Sequence, residues 1–284
     1  MSSGYFNLKW RLRIHHVIND QVVSIINIIT GIAYLGLAYF LINRLHNPNK
    51  QVPEWGKWLP LAPVIFHLYS LYLSIETGQG QNLSLFNILS LTGFIIVILI
   101  AVYRFKHPTP HLMLYAAIFS AIAVLLGLIP SEPHILPLKG NILSVLHIWA
   151  SVIGFSLLLT AALQSTLILI LNKKLRSKPV SIHPLLPPLL QMERLLSDLV
   201  LSGILIITVA LVLGFMLPSQ ELTNQPLHKI ILTVLAWFSF CTFYIGYKSS
   251  RLSGIRFARL SLIAFIILTI GFIGSKLVLE FILQ

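Results

Sequence analysis

The longest run without a charged residue, from Gly140 to Leu171, contains a single histidine, His147. About 20 apolar residues in a helix cross the hydrocarbon layer of a bilayer. From Asn141 to Leu171 a helix would be about 46 Å long, so it must tilt or extend beyond that layer. The run predicts a membrane-spanning helix and restricts the rest of the chain to a membrane fold.

Seven further apolar runs have the length or composition of membrane spans. The fold class predicted is therefore all-α, a polytopic transmembrane helical bundle of about eight spans. The predicted spans are 22–43, 59–75, 84–103, 111–129, 141–171, 195–216, 228–247 and 257–279. We expect residues 1–21 to form a polar N-terminal tail and residues 22–284 a single membrane domain.

Composition supports a membrane protein. The 284 residues are 56% hydrophobic and only 10% charged, whereas soluble domains contain about 25% charged residues. The single cysteine, Cys241, excludes a disulfide framework, a CxxC redox pair and a cysteine-rich metal site. The net charge of +12 would suit nucleic acid, but the charges lie where membrane topology requires them. We expect a lipid bilayer as the partner and no nucleic acid.

The basic residues orient the bundle. Fourteen of the 20 lysines and arginines lie in the connections 44–58, 104–110, 172–194 and 248–259. In the alternate connections, 76–83, 130–140 and 217–227, Lys139 is the only lysine or arginine. Basic connections stay in the cytoplasm, so both termini are expected to be extracytoplasmic.

The basic N-terminal tail contradicts this orientation, because Lys9, Arg11 and Arg13 would lie on the outer side. Either the other basic residues outweigh them, or the first residues precede the native start.

The connection before the sixth span contains a helix start of its own. Pro187 and Pro188 suit a helix start, and the apolar residues after them recur at helical spacing. This amphipathic extension is either a helix longer than the bilayer or a helix that docks a partner.

The sequence lacks the residues and motifs that several kinds of membrane transporter and enzyme require. No Asp or Glu lies in the middle of a span, which disfavours proton-coupled carriers and cation transporters. The sequence has no glycine-rich GK[ST] loop, no HExxH and no GxSxG, so ATP hydrolysis and intramembrane proteolysis lack support. We expect no catalytic residues.

Three histidines remain as candidate ligands: His67, His147 and His228. In the predicted orientation none lies in the cytoplasmic half. A neutral imidazole is a good axial ligand for haem iron, although an intramembrane histidine can also simply hydrogen-bond a neighbouring helix. Nearby aromatic residues are expected to line an apolar cleft: Phe66, Tyr69, Tyr72, Trp149 and Trp237. The histidines at 15, 16, 46, 107, 111 and 183 are expected to be solvated, and His134 lies in an outer connection.

The outer connection before the third span is rich in glycine and amides. Gly78, Gly80 and Asn82 predict a tight polar turn. Asn82 or Ser84 would cap the following helix. The turn is either purely structural or closes over an outer cleft.

Several stretches resemble the CcsA/HemX-like cytochrome c assembly family, in particular its YpjD-type inner membrane proteins of Gram-negative bacteria. They are GQNLSLFNILSL at 80–91, LHIWASVIGFSLLLTAALQSTLIL at 146–169, LPPLLQMERLL at 186–196, HKIILTVLAWF at 228–238 and GIRFARLSLIAFIILTIGFIGSK at 254–276. The resemblance implies an eight-span bundle with its core at about 60–282, in the bacterial inner membrane. It also implies haem handling on the outer side during c-type cytochrome maturation. His67 and His147 would be axial ligands of haem iron, and His228 an alternate ligand.

One departure from the family limits this expectation. Members that attach haem carry a tryptophan-rich WGxxWxWD-like outer segment, which is absent here. We therefore expect haem binding or transfer, with cytochrome c maturation partners, and no attachment by this chain alone. The alternative is a non-catalytic accessory subunit of a divalent-cation (Mg/Co) efflux system, docked through the amphipathic extension.

Overall fold

The fold is described from a computed structural model. It covers residues 2–47, 56, 58–78, 80–104, 109–130, 132–138, 140–177, 187–218, 226–274 and 277, with side chains from residue 21 onward except that of residue 177. Eight α-helices account for most of these residues. They are α1 (Ser2–His46), α2 (Leu61–Ile75), α3 (Leu85–Tyr103), α4 (Pro110–Leu126), α5 (Ile142–Ser177), α6 (Leu189–Phe215), α7 (Leu227–Lys248) and α8 (Gly254–Thr269). A π-helical turn, Ile270–Gly274, continues α8.

The helical fold class is confirmed, and each predicted span coincides with one helix. Among the described residues, six helices are long and apolar enough to cross a membrane, the first of them being the Gln21–His46 part of α1. The other two, α2 and α4, have 15 and 17 residues and are shorter than a full span. The expected N-terminal tail continues the helix of α1, which begins at Ser2.

The helices pack as two groups. In the first group α1 contacts α2 and α4, and α4 contacts α3. In the second group α5 contacts α6 and α8, and α8 contacts α7. Within the first group α3 also contacts α2, and contacts of α5 with α3 and α4 join the two groups. Without a hydrophobic driving force in lipid, such contacts depend on close packing and hydrogen bonds.

Glycines allow the closest helix approach. In the α5–α6 pair, a Cβ at Gly154 would lie 2.7 Å from Ile207 Cδ1, and Gly203 lies directly against Leu158. The two helices are antiparallel, because the residue number rises along α5 from one contact to the next while it falls along α6. The predicted start of α6 is also confirmed, since the helix begins directly after Pro188.

The predicted polar turn is more elaborate than expected, because it belongs to a small antiparallel sheet. Its strands are β1 (Glu76–Thr77), β2 (Gly80–Asn82) and β3 (Ile135–Leu136), with β2 in the centre. Gly80 lies against the carbonyl of Leu136, where a side chain would not fit. Asn82 Oδ1 accepts from the backbone N–H of His134 at 3.1 Å. Ser84 is the N-cap of α3 without a side-chain capping bond.

Two names for the ends of the bundle are useful. The sheet end is the end where β1–β3 lie, where α2, α4 and α6 finish and α3, α5 and α7 begin. The basic end is the opposite end, where α1, α3, α5 and α7 finish. The connections rich in lysine and arginine all belong to the basic end.

Candidate functional site

His67 lies at the contact of three helices and is fully buried. Its Nδ1 is 2.9 Å from the hydroxyl oxygen of Tyr34 on α1, and its Nε2 is 2.9 Å from the hydroxyl oxygen of Ser90 on α3. The rings of Tyr34 and Phe94 both meet the imidazole edge-on, and the centroid of each ring lies 5.4 Å from that of His67. A neutral imidazole has one N–H and one lone pair, so both of its nitrogens are occupied here.

A second polar contact supports the same junction. The Ser70 hydroxyl donates to Asn27 Oδ1, which ties α2 to α1 one turn closer to the sheet end. Sequence reasoning missed these partners of α2. The signal was available, because Asn27, Thr30 and Tyr34 recur at helical spacing within an otherwise apolar run.

His147 lies near the start of α5 and faces α6. Its Nδ1 is 2.8 Å from the carbonyl oxygen of Ala210. A carbonyl can only accept, so Nδ1 carries the proton and Nε2 of the neutral ring keeps its lone pair. Nε2 has no hydrogen-bond partner among the described residues. This is how metal-binding histidines are oriented, with one nitrogen fixed by a carbonyl and the other presented to the metal.

A glycine makes room for this imidazole. A Cβ at Gly214 would lie 2.9 Å from His147 Cε1 and 3.1 Å from its Nδ1. The backbone of α6 therefore approaches the ring closely on the side of the fixed nitrogen. The position of the ring depends on the absence of a side chain at Gly214.

His228 opens α7, and its side chain is exposed. It makes no hydrogen bond to any described residue. Its neighbour Lys229 lies within electrostatic range of His147, so α7 begins close to the start of α5. Further along α7, the Trp237 indole N–H donates to the hydroxyl oxygen of Thr208 at 2.8 Å. This aromatic residue is fixed between α6 and α7.

The three histidines lie in the half of the bundle nearer the sheet end, but they face different helices. His67 faces α1 and α3, whereas His147 faces α6. An apolar contact of Leu71, Leu91 and Val152 fills the junction of α2, α3 and α5. No hydrogen bond or ring contact joins the histidines within the part of the chain that is described. Their action as one ligand set stays a prediction.

The aromatic residues of α2 that were expected to line an apolar cleft do not surround His67. Phe66, Tyr69 and Tyr72 are 45%, 52% and 64% exposed, on the face of α2 that points away from the buried His67. Trp149 on α5 is also exposed. The three aromatic residues of α2 lie on the outer surface of the bundle because the inner face of α2 is taken up by helix contacts.

One histidine expected to be solvated is buried. His111, in the first turn of α4, is only 3% exposed. His46 is exposed as expected, with its Nδ1 2.9 Å from the carbonyl oxygen of Ile42. The side chains at 15, 16, 107 and 183 lie outside the described residues. The sequence did not show the burial of His111, since Pro110 places it at the helix start, where connections are usually solvated.

The described residues contain no group of three or more His, Cys, Asp or Glu side chains that could hold a metal ion. Haem iron needs only one or two protein ligands, because the macrocycle supplies the other four. The orientation of His147 therefore suits haem better than it suits a bare ion.

Comparison with known proteins now identifies the family. Residues 55–283 match the family described as "Cytochrome C assembly protein". The chain belongs to this family.

Two relatives extend the comparison. "Inner membrane protein YpjD" of Escherichia coli K12 is 24% identical over 235 residues, which cover 80% of this chain and 89% of the relative. "Uncharacterized 28.8 kDa protein in nifR3-like 5'region" of Azospirillum brasilense is 30% identical over 142 residues, 49% of this chain and 52% of that protein. No solved structure matches the chain significantly.

The family and the helices agree on location. A relative named as an inner membrane protein and six apolar helices identify the chain as a multi-pass protein of the inner membrane. The predicted resemblance is confirmed. The alternative of a cation-efflux accessory subunit gains no support from these matches.

Proposed function

We propose that this protein binds haem at the sheet end of its bundle, on the periplasmic side, and holds or passes it during c-type cytochrome biogenesis. The observation that carries the proposal is the geometry of His147 in a member of the cytochrome c assembly family. Its Nδ1 is fixed by the carbonyl of Ala210 at 2.8 Å, which leaves Nε2 available to iron.

The proposal includes the orientation and the number of spans. Basic connections are retained in the cytoplasm, so the basic end would be cytoplasmic and the sheet end periplasmic. In this arrangement α2 and α4 complete eight spans, with the bilayer thinned around them or their ends extended by flanking residues. Both termini would then be periplasmic.

Apolar side chains at the same end of the bundle would provide a contact surface for a flat apolar macrocycle. Leu146 on α5, and Phe215 and Met216 at the end of α6, are 48% to 64% exposed. Bound haem would supply a redox-active iron, and the chain would supply the ligand and an apolar contact surface.

The three histidines would differ in their readiness to bind iron. His147 is oriented with a free nitrogen, and His228 is exposed at the same end of the bundle. His67 would have to release Tyr34 or Ser90 before it could bind iron. We therefore propose that His147 would hold the haem iron and that His228 would supply a second ligand. His67 would act as a ligand only in a rearranged state.

The test is the absorption spectrum of the full chain in mild detergent after haem loading. We expect a Soret band that shifts or weakens in His147→Ala, and a change of spin state in His228→Ala. His46→Ala is the matched control, because it removes an exposed imidazole at the basic end and should leave the spectrum unchanged. A wild-type protein without a Soret band, or a His147→Ala spectrum identical to that of wild type, would exclude the proposal.

A further inference from the structure

At the basic end, the end of α1, the end of α3 and the start of α4 lie at the same height along the bundle axis. Along the α1–α4 contact, Gly31 packs against Leu125, and a Cβ at Gly127 would lie 3.3 Å from Asn27 Nδ2. The two helices are antiparallel, so following both toward the basic end brings Arg44 level with the first turn of α4.

The α3–α4 contact leads to the same place. The Ser120 hydroxyl donates to the carbonyl of Gly93 at 2.9 Å. Counting from this antiparallel contact toward the basic end brings Arg104 level with Thr109. Arg44 and Arg104 therefore lie on two sides of the start of α4.

The two guanidinium groups are close enough to affect each other. Burial, and after it the positive charge of Arg44, lower the pKa of Arg104. The described helices α1 from residue 21, α3 and α4 contain no Asp or Glu. Among the described residues, Asp198 of α6 lies within electrostatic range of Tyr103, the neighbour of Arg104 in the chain.

Two buried polar side chains accompany the arginines. Thr109 is 4% exposed and His111 is 3% exposed. The hydroxyl of Thr109 and both ring nitrogens of His111 have no hydrogen-bond partner among the described residues. Buried polar side chains almost always have a partner. The Thr109 hydroxyl and one imidazole N–H of His111 are two donors beside two clustered cations, a combination that suits a ligand that accepts hydrogen bonds and carries negative charge.

We propose that Arg44, Arg104, Thr109 and His111 form a binding site for a phosphate group at the basic end. Guanidinium groups bind phosphate oxygens in pairs, and the hydroxyl and imidazole N–H supply two further donors. The site lies where helices leave the hydrocarbon layer, which is the depth of lipid headgroups. Basic sites between helix ends on the cytoplasmic side of membranes bind anionic lipid headgroups. A phospholipid of that leaflet is thus one source of the phosphate, and free phosphate in solution is the other.

This inference is independent of haem. The phosphate site and His147 lie at opposite ends of the bundle and share no residue. Loss of phosphate binding with an unchanged haem spectrum, or the reverse, would therefore separate the two proposals.

The lipid arm of the test is native mass spectrometry of the full chain titrated with phosphatidylglycerol or phosphatidylcholine. We expect preferential binding of phosphatidylglycerol, weakened about fivefold for each arginine removed in Arg44→Gln and Arg104→Gln. Arg251→Gln and Arg256→Gln, in another basic connection, are the matched controls and should have little effect. Equal losses in both pairs would show a general charge effect and overturn the specific site.

The free-anion arm is the shift of the thermal unfolding midpoint with inorganic phosphate or pyrophosphate. Stabilisation that disappears in Arg44→Gln and in Thr109→Val, without lipid preference, would assign the site to a free phosphate. Thr109→Val keeps the side-chain shape and removes only the hydroxyl, so it remains informative if the arginine variants fold poorly. If neither probe distinguishes these variants from wild type, water satisfies the buried groups and the proposal is wrong.

Discussion

Replacement of His67 by Phe tests whether the imidazole holds α1, α2 and α3 together. Phenylalanine fills a similar volume and can keep the edge-on contacts with Tyr34 and Phe94. It cannot bond to the hydroxyls of Tyr34 and Ser90, each 2.9 Å from a ring nitrogen. Tyr34 is 0% exposed and Ser90 is 7% exposed, so bulk water does not reach either hydroxyl.

The expected loss of unfolding free energy depends on whether each hydroxyl finds another hydrogen-bond acceptor in the variant. A buried hydroxyl left without a partner costs about 1–3 kcal/mol, whereas a hydrogen bond within a membrane contributes about 0.6 kcal/mol on average. The Ser90 hydroxyl can turn to a carbonyl of its own helix, as that of Thr92 does to Ile88 at 2.8 Å. The Tyr34 hydroxyl is too far from its own backbone to do so. We therefore expect His67→Phe to lower the free energy of unfolding by about 2 kcal/mol, mostly through Tyr34.

The assay is unfolding by dodecyl sulfate in mixed micelles, followed by helical circular dichroism. Adding Tyr34→Phe to His67→Phe should restore part of the stability, because the unpartnered hydroxyl is then gone. Ser74→Ala is a control, since its hydroxyl bonds only to the carbonyl of Ser70 in the same helix. The reasoning is refuted if His67→Phe is as stable as wild type, or if Tyr34→Phe causes a full additional loss in that background.

Two glycine substitutions give further predictions. Gly80→Ala should separate β2 from the backbone of β3 and speed proteolysis of the sheet, whereas Gly78→Ala should not, because nothing lies within 4 Å of its added Cβ. Gly214→Ala should displace the His147 imidazole, because the added Cβ would lie 2.9 Å from its Cε1. We expect this variant to weaken haem binding less than His147→Ala does. Gly36→Ala, with nothing within 4 Å, is its control; equal haem affinities of these two variants would show that the approach of α6 does not position the ring.

The helices were predictable because hydrocarbon imposes a strong pattern on the chain. Long apolar runs separated by charged or proline-rich connections gave the positions of all eight helices. The sheet was not predictable, since strands of two or three residues are too short for an alternating pattern. What indicated it was the composition around Gly80, which showed only that the chain turns there.

The direction of each side chain was harder to predict than the helix containing it. A helix that is apolar on all sides has no polar face to indicate its orientation, so the sequence could not tell that His67 faces inward and Tyr69 outward. His147 was recognised as a costly polar residue, but its partner Ala210 is a backbone carbonyl that no sequence pattern marks. The burial of His111 depends on the packing of α1 and α3 around the start of α4.

The central claim is that His147 holds haem through Nε2. The most direct measurement is the haem dissociation constant of the full chain in mild detergent, compared between His147→Ala and the exposed control His46→Ala. Loss of an axial bond should weaken binding by about tenfold or more in His147→Ala, equivalent to about 1.4 kcal/mol, and leave His46→Ala at the wild-type value. Equal dissociation constants for the two variants would contradict the claim.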